Sequence, residues 1–180
     1  MNSFWRPGKY MKAKPGIWTW IIAVASFSLL SVTCSAQSIC PWLNVATASG
    51  VLGGPAVVEL NNTGVNTGTC VFRLQNSSPN DTLRIAVIRA DNPENAGKEM
   101  TPYKASCTLS QAPLKAVGNE AVICISNTKT SRGELVVGRV RGNIFTVAIS
   151  TGTGNDSQAT RDMLAEKAER IAKQVAGALF

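Results

Sequence analysis

Residues 114–150 read LKAVGNEAVICISNTKTSRGELVVGRVRGNIFTVAIS, and this stretch decides the fold. It contains three runs rich in Val and Ile, bounded by polar turn residues, at 121–126, 134–140 and 143–150. That pattern is typical of β-strands. The last two runs meet at Gly142-Asn143, a short glycine-containing tip that suits a tight hairpin. The stretch therefore predicts a meander of antiparallel strands.

Three more strands are predicted upstream, at residues 56–60, 69–75 and 82–89. In the second of them Cys70, Phe72 and Leu74 alternate with Val71, Arg73 and Gln75. Such alternation is typical of a half-buried antiparallel strand. It also directs the thiol of Cys70 towards the core.

Helical patterns lie on either side of the strands. Residues 40–52 read CPWLNVATASGVL, where Pro41 suits a first helical turn and the following Gly53-Gly54-Pro55 ends the helix. After an N-cap at Asp156 or Ser157, residues 158–180 carry a stripe of apolar side chains at helical spacing. The stripe comprises Leu164, Ala168, Ile171, Val175 and Leu179. Its many alanines favour close packing on a sheet over a membrane-surface helix.

These elements predict an α+β fold. We expect an antiparallel sheet of about five to six strands, with a short N-terminal helix and a long C-terminal helix packed on one face. Residues 91–113 are polar, contain three prolines and show little periodicity. They are predicted to form a surface loop tethered by Cys107.

The N-terminus has the pattern of a secretory signal peptide. Residues 1–16 are basic, 17–32 are apolar, and the small residues TCSAQS follow. We expect a signal peptide at residues 1–36 and a single disulfide-stapled domain at residues 37–180. The protein is then secreted or periplasmic.

Two alternatives to cleavage stay open, and both make membrane anchoring the second choice. Residues 17–36 reach the length of about 20 residues that a membrane-spanning helix needs. They would then remain as an uncleaved anchor. Alternatively, Cys34 would be acylated in a lipoprotein, although Thr33 stands where Gly or Ala is usual. Contact with the membrane is expected only through such an anchor.

Composition excludes several classes of function. The chain contains no histidine, so Ser-His-Asp and Cys-His catalytic arrangements are excluded and the commonest zinc ligand is missing. The net charge of +7 includes four basic residues of the export segment. Removing those four from 18 Lys and Arg leaves 14 against 11 Asp and Glu, a net charge of +3. This balance is too weak to predict a nucleic-acid partner.

Four cysteines remain after cleavage: Cys40, Cys70, Cys107 and Cys124. They form no CxxC motif and lack the paired spacing of a zinc site, so we predict structural disulfides and no metal or cofactor. Three pairings are available in principle. We favour Cys40–Cys70 and Cys107–Cys124, because each closes a local loop.

In order along the chain stand an export signal, CPWL followed by a helix and LGGP, the strand CVFRL, VGNEAVIC, VVGRVRGNIFTVAIS and LAEKAERIAKQVAGALF. This order resembles uncharacterised bacterial secreted and lipoprotein domains, mainly actinobacterial, over residues 38–180. Those domains are similar to the extracellular sensor domains of bacterial serine/threonine kinases. Gly118-Asn119-Glu120 matches a glycine-plus-acid turn of that pattern, and Gly142-Asn143 matches its hairpin. The resemblance implies an envelope domain that senses a ligand or binds a partner.

We therefore expect a non-catalytic extracytoplasmic binding or sensor-like module with no catalytic residue. One alternative is a secreted hydrolase that uses two carboxylates, Glu99 or Glu120 with Asp91 or Glu94. The mature chain has few aromatic side chains for a sugar cleft, which disfavours this alternative. A secreted peptidase inhibitor is the other alternative, and it rests on architecture alone.

Three arginines are the candidate binding residues. Arg139 and Arg141 alternate along one predicted strand, and Arg132 precedes it. On a shared face they would form a basic stripe able to hold an anionic envelope polymer or an acidic protein partner. The competing interpretation is a solvated outer strand face that discourages edge pairing.

The export signal yields a prediction about the mature N-terminus. We expect the exported protein to begin near Gln37, because Ala36 ends the small-residue site that follows the apolar run. N-terminal sequencing of exported material checks this. An exported chain that retains Trp18 and Trp20, or one that carries lipid on Cys34, would contradict it.

Overall fold

A computed structural model of the chain describes residues 39–64, 67–76, 81–107, 109–127, 132–151 and 157–180. Within these ranges the side chains of Asn62, Thr63, Ser110, Asn127 and Arg132 are not described. The predicted export segment at 1–36 lies outside the described residues. None of the helices in the described part is long and apolar enough to cross a membrane.

The described chain is an α+β fold built on one antiparallel sheet of seven strands in the order β1-β2-β3-β7-β6-β5-β4. The strands are β1 Ala56–Gly64, β2 Thr67–Leu74, β3 Thr82–Arg89, β4 Leu109–Pro113, β5 Glu120–Asn127, β6 Arg132–Val140 and β7 Asn143–Thr151. The helices are α1 Val45–Leu52, α2 Ala96–Glu99, α3 Thr101–Lys104 and α4 Gln158–Ala178, with a 3₁₀ turn at Pro93–Asn95.

The sheet consists of two meanders, one of β1 to β3 and one of β4 to β7. They join where β3 pairs with β7, with Leu83 opposite Ile149 and Ile85 opposite Val147. The chain leaves β3 at the centre of the sheet and re-enters at the far edge as β4. Residues 90–107 therefore pass three strands, β7, β6 and β5, before the second meander begins.

The predicted count of five to six strands is wrong, because β4 was assigned to a loop. This edge strand pairs only with β5, and its register shifts between Leu109 and Ala112. It also ends at Pro113, which lacks a backbone donor. An edge strand with a bulge and a proline carries little of the alternation by which strands are recognised.

One face of the sheet carries the main core. Register places Phe72 opposite Leu83, which in turn lies opposite Ile149, and all three side chains are buried. Residues of both α1 and α4 belong to the same hydrophobic cluster, among them Ala48 and Ile171.

Helix α4 forms where the apolar periodicity predicts it. Of the two predicted N-caps, Ser157 holds the position, and its hydroxyl accepts a hydrogen bond from the backbone N–H of Thr160. The buried side chains of the helix are Leu164, Ala168, Ile171, Ala172, Val175 and Ala176. They recur every three or four residues, so one stripe of the helix is buried.

Helix α1 begins later than predicted. Asn44 is its N-cap and accepts a hydrogen bond from the N–H of Thr47 at 2.7 Å, so Pro41 precedes the helix and does not open it. Trp42 and Leu43 are buried before the first turn. The helix ends at Gly53, whose φ of 85° is the left-handed conformation that glycine tolerates best.

A second, smaller core lies under the crossing segment. Residues 91–107, predicted to be an irregular loop, contain the 3₁₀ turn, α2 and α3. Met100 is fully buried, and it clusters with Val137 of β6 and Ile144 of β7. Because Val137 and Ile144 alternate with residues of the main core, this cluster occupies the opposite face of the sheet.

Two disulfides join the pairs favoured from the sequence. Cys40 and Cys70 have Cα atoms 5.8 Å apart, and Cys107 and Cys124 have Cα atoms 5.5 Å apart. The first fixes the segment before α1 to β2. The second fixes the end of the crossing segment to β5.

The length of the loop that the Cys40–Cys70 disulfide closes predicts its contribution to stability. It spans 30 residues, so loop-closure entropy gives a stabilisation of about 3–4 kcal/mol. We expect Cys40→Ser and Cys70→Ser to lower the free energy of unfolding by similar amounts, and the double variant to lose no more than either single one. Urea denaturation of the oxidised protein measures this. Unequal single losses, or additive ones, would contradict it.

Candidate functional site

The predicted basic residues lie in three different settings. Arg139, on β6, donates from Nε to a carboxylate oxygen of Glu120 at 3.3 Å. Lys104 of α3 reaches the other oxygen of Glu120 at 2.5 Å. Arg139 is therefore charge-compensated by the first residue of β5, and the three side chains fix α3 to the sheet.

Arg141 does not lie on a strand, which corrects the predicted stripe. It occupies the turn between β6 and β7 with a φ of 53°, so Arg141-Gly142 and not Gly142-Asn143 is the two-residue tip. Its guanidinium lies 5.6 Å from the centre of the Phe180 ring, a cation–π geometry. The structure describes the backbone of Arg132 but not its side chain. Arg139 and Arg141 therefore do not share one strand face.

The Gly118-Asn119-Glu120 turn is bonded to this hairpin. Asn119 accepts a hydrogen bond from the N–H of Arg141 at 2.6 Å and donates its own N–H to the carbonyl of Arg139 at 2.8 Å. Gly118 has a φ of 63°, and a Cβ there would lie 2.4 Å from that same carbonyl oxygen. Only glycine fits this close approach.

Two of the four carboxylates proposed for a hydrolase, those of Glu99 and Glu120, accept hydrogen bonds that hold local structure. Glu99 accepts hydrogen bonds from the N–H groups of Asp91 at 3.1 Å and Asn92 at 3.5 Å. The hydrogen bond from Lys104 is the main cause that lowers the pKa of Glu120, and Arg139 acts in the same direction against a partial desolvation. A general acid needs a raised pKa, so Glu120 is not suited to that role.

A pocket of about 260 Å³ lies between the β4–β5–β6 edge and the first turns of α4. Its strand side is apolar except for Glu134, and its helix side is polar except for Ala165. The residues that line it are Ala112, Ile123, Cys124, Ile125, Glu134, Gln158, Arg161, Asp162 and Ala165. No aromatic ring occurs among these lining residues.

Glu134 distinguishes this pocket from the rest of the described surface. It is only 6% exposed, and it is the one charged residue buried among those described. In register it stands between Ile125 of β5 and Ile149 of β7, on the face that α4 covers. Desolvation raises its pKa to about 7, against an opposing effect of the Arg161 charge and with a small further rise from Asp162.

Sequence reasoning missed Glu134 for a physical reason. It opens the ELVVGRV run, where an acid next to a turn is normally solvated. The signal that could have identified it is its even spacing from buried residues of the same strand. Glu134 lies two and six residues before the buried Val136 and Val140, so on a strand it shares their face.

Within the described residues no group of three or more His, Cys, Asp or Glu side chains could hold a metal ion. No family model matches the chain, and no curated protein matches it.

The raised pKa of Glu134 predicts a pH-dependent stability. Between about pH 4.5 and 7 the folded protein binds a proton at Glu134 that the unfolded chain releases, so this carboxyl costs more stability as pH rises. We expect Glu134→Gln to match the wild type near pH 4.5 and to be more stable at pH 8, by up to about 3 kcal/mol. Urea denaturation across this range measures the difference.

Exposed Glu59, ion-paired with Arg73 on the opposite side of the sheet, supplies the control. Glu59→Gln removes the same charge and should leave the pH-dependence caused by Glu134 in place. Parallel stability curves for the wild type and Glu134→Gln would show that the carboxyl is not desolvated.

Proposed function

We propose that residues 37–180 form a non-catalytic ligand-binding module outside the cytoplasm, in the bacterial cell envelope. One observation carries the proposal: a 260 Å³ pocket whose wall contains a buried carboxylate, Glu134. A buried charge costs stability, so its presence beside a cavity favours a binding role over a purely structural one. The resemblance to extracellular sensor domains supports the same class.

The disulfides support the proposed location. Structural disulfides persist in oxidising compartments and are rare in the cytosol. Both bridges here fasten secondary structure, and they involve cysteines without a redox motif. Export by the N-terminal signal would place the module in such a compartment.

A hydrolase remains the second candidate because two carboxyl groups, Glu134 and Asp162, line the same pocket. A carboxyl with a pKa raised to about 7 beside a second carboxyl is an arrangement that acid–base hydrolysis uses. The lining offers no aromatic platform, which disfavours a sugar substrate. An inhibitor role has less support, because residues 91–107 pack on the sheet with Met100 buried beneath them.

Filling the pocket tests the binding function without assuming a ligand class. Ala165 lines the pocket and is partly buried, so Ala165→Phe would occupy its volume. We expect at least one class among small amines, carboxylates and alcohols, at millimolar concentration, to shift the NMR methyl resonances of Ile123 and Ile125 saturably in the wild type but not in the filled variant. Turnover of an ester or glycoside panel that Glu134→Gln abolishes would favour the hydrolase. A wild-type protein that binds none of the probes would refute the pocket as a site.

A further inference from the structure

The charges around the pocket are unbalanced. Glu134 and Asp162 are acids, and Arg161 is the basic residue among those that line it. Gln158 donates its amide N–H to Asp162 at 2.7 Å, which holds that carboxylate on the first turns of α4. The side chains of Gln158, Arg161 and Asp162 are exposed, whereas Glu134 is buried.

The buried carboxylate is incompletely compensated. Within the described residues, Arg161 is the cation whose charge acts on Glu134, and it lowers the pKa of that carboxyl against the larger effect of burial. Glu120 on the other face differs, since Lys104 and Arg139 both bond to it directly. A cation delivered into the pocket would offset the cost of burying the Glu134 charge, as Lys104 and Arg139 do for Glu120.

The lining selects among cations. Divalent metals require several converging oxygen ligands, and the described residues provide no cluster of three acidic or sulfur side chains. An ammonium group has three N–H donors, and the carboxylates of Glu134 and Asp162 and the amide oxygen of Gln158 line the pocket as acceptors. The apolar side chains of Ile123, Ile125 and Ala165 would cover a short hydrocarbon stem.

We infer that this pocket binds a small aliphatic ammonium compound, with the charged nitrogen at Glu134 and the stem against Ile123 and Ile125. The inference rests on the proposed binding function and names its ligand class. The volume of about 260 Å³ limits the occupant to a small molecule or to the end of one side chain.

Ligand binding is then linked to protonation. The ammonium ion needs the ionised carboxylate, so affinity rises as Glu134 loses its proton near pH 7. The charged groups that face it from α4 are Arg161 and Asp162, and the described lining residues from β4 and β5 are uncharged. Arg132, on the same strand, has an undescribed side chain. Binding only to the ionised form gives an affinity about tenfold higher at pH 8 than at pH 6.

The test uses n-butylammonium, with 1-butanol as the neutral and butyrate as the anionic probe. Purified protein with both disulfides oxidised is titrated at pH 6 and pH 8, and the methyl resonances of Ile123 and Ile125 are followed by NMR. We expect saturable shifts with butylammonium, about tenfold tighter at pH 8. Glu134→Gln should abolish them, and the charge-matched Glu59→Gln should retain them.

Each remaining outcome overturns the inference in a distinguishable way. If butanol or butyrate binds equally well or better, the pocket is a binding site but not a cation site, and the proposed function survives alone. If Glu134→Gln binds butylammonium like the wild type, the nitrogen does not lie at Glu134. If no probe binds to a folded wild-type protein, both the inference and the pocket function fall. Ala165→Phe, or Ala112→Phe should the first unfold, removes the cavity and keeps the carboxylate.

Discussion

The antiparallel pairing of β3 with β7 is the constraint on which the rest of the structure depends. It joins two meanders that are each local in sequence, and the strands it brings together are separated by more than fifty residues. The pairing makes the buried faces of Ile85 and Val147 continuous, so that one hydrophobic cluster extends from α1 to α4. It also places β4 at the opposite edge from β1, which forces the chain to cross the sheet.

The crossing explains why the second face is only partly covered. Met100 and its neighbours protect the half of that face formed by β5, β6 and β7. The half formed by β1 and β2 carries the exposed Val57 and the surface ion pair of Glu59 with Arg73. Such a pair in solvent contributes little stability, so this half of the sheet depends on the core beneath it.

Local sequence patterns predicted those strands and helices that bury one face against the core. Strands β2 and β3 follow from alternation, β5 to β7 follow from Val- and Ile-rich runs bounded by turn residues, and α4 follows from its apolar stripe. Strand β4 escaped notice because it pairs on one side only and ends in proline. The start of α1 was misplaced because the Asn44 cap competes with Pro41 as a start signal. The pairing of β4 with β5 and the choice between Asn44 and Pro41 both depend on tertiary contacts, which the local sequence does not contain.

The candidate site was harder to predict than the fold, since it depends on which charge finds a partner. Glu120 and Glu134 lie on adjacent strands, and both are acids close to turns. One meets Lys104 and Arg139, and its pKa falls; the other meets the flank of α4, and its pKa rises. Which helix packs beside each carboxyl therefore decides whether its pKa falls or rises. Arg139 and Arg141 do not share a strand face for the same reason, because Arg139 bonds to Glu120 and Arg141 lies in the turn beside Phe180.

The two disulfides also divide the covalent structure of the molecule. Cys40–Cys70 closes a ring within the first meander and its helix, and Cys107–Cys124 closes a ring within the second. Neither ring crosses the pairing of β3 with β7. The peptide segment at 90–106 is therefore the sole covalent connection between the two meanders. A protease that cut this segment would leave two separately cross-linked fragments, held together by strand pairing and by the shared core alone. The bridges thus reinforce each half of the molecule and leave its assembly to noncovalent forces.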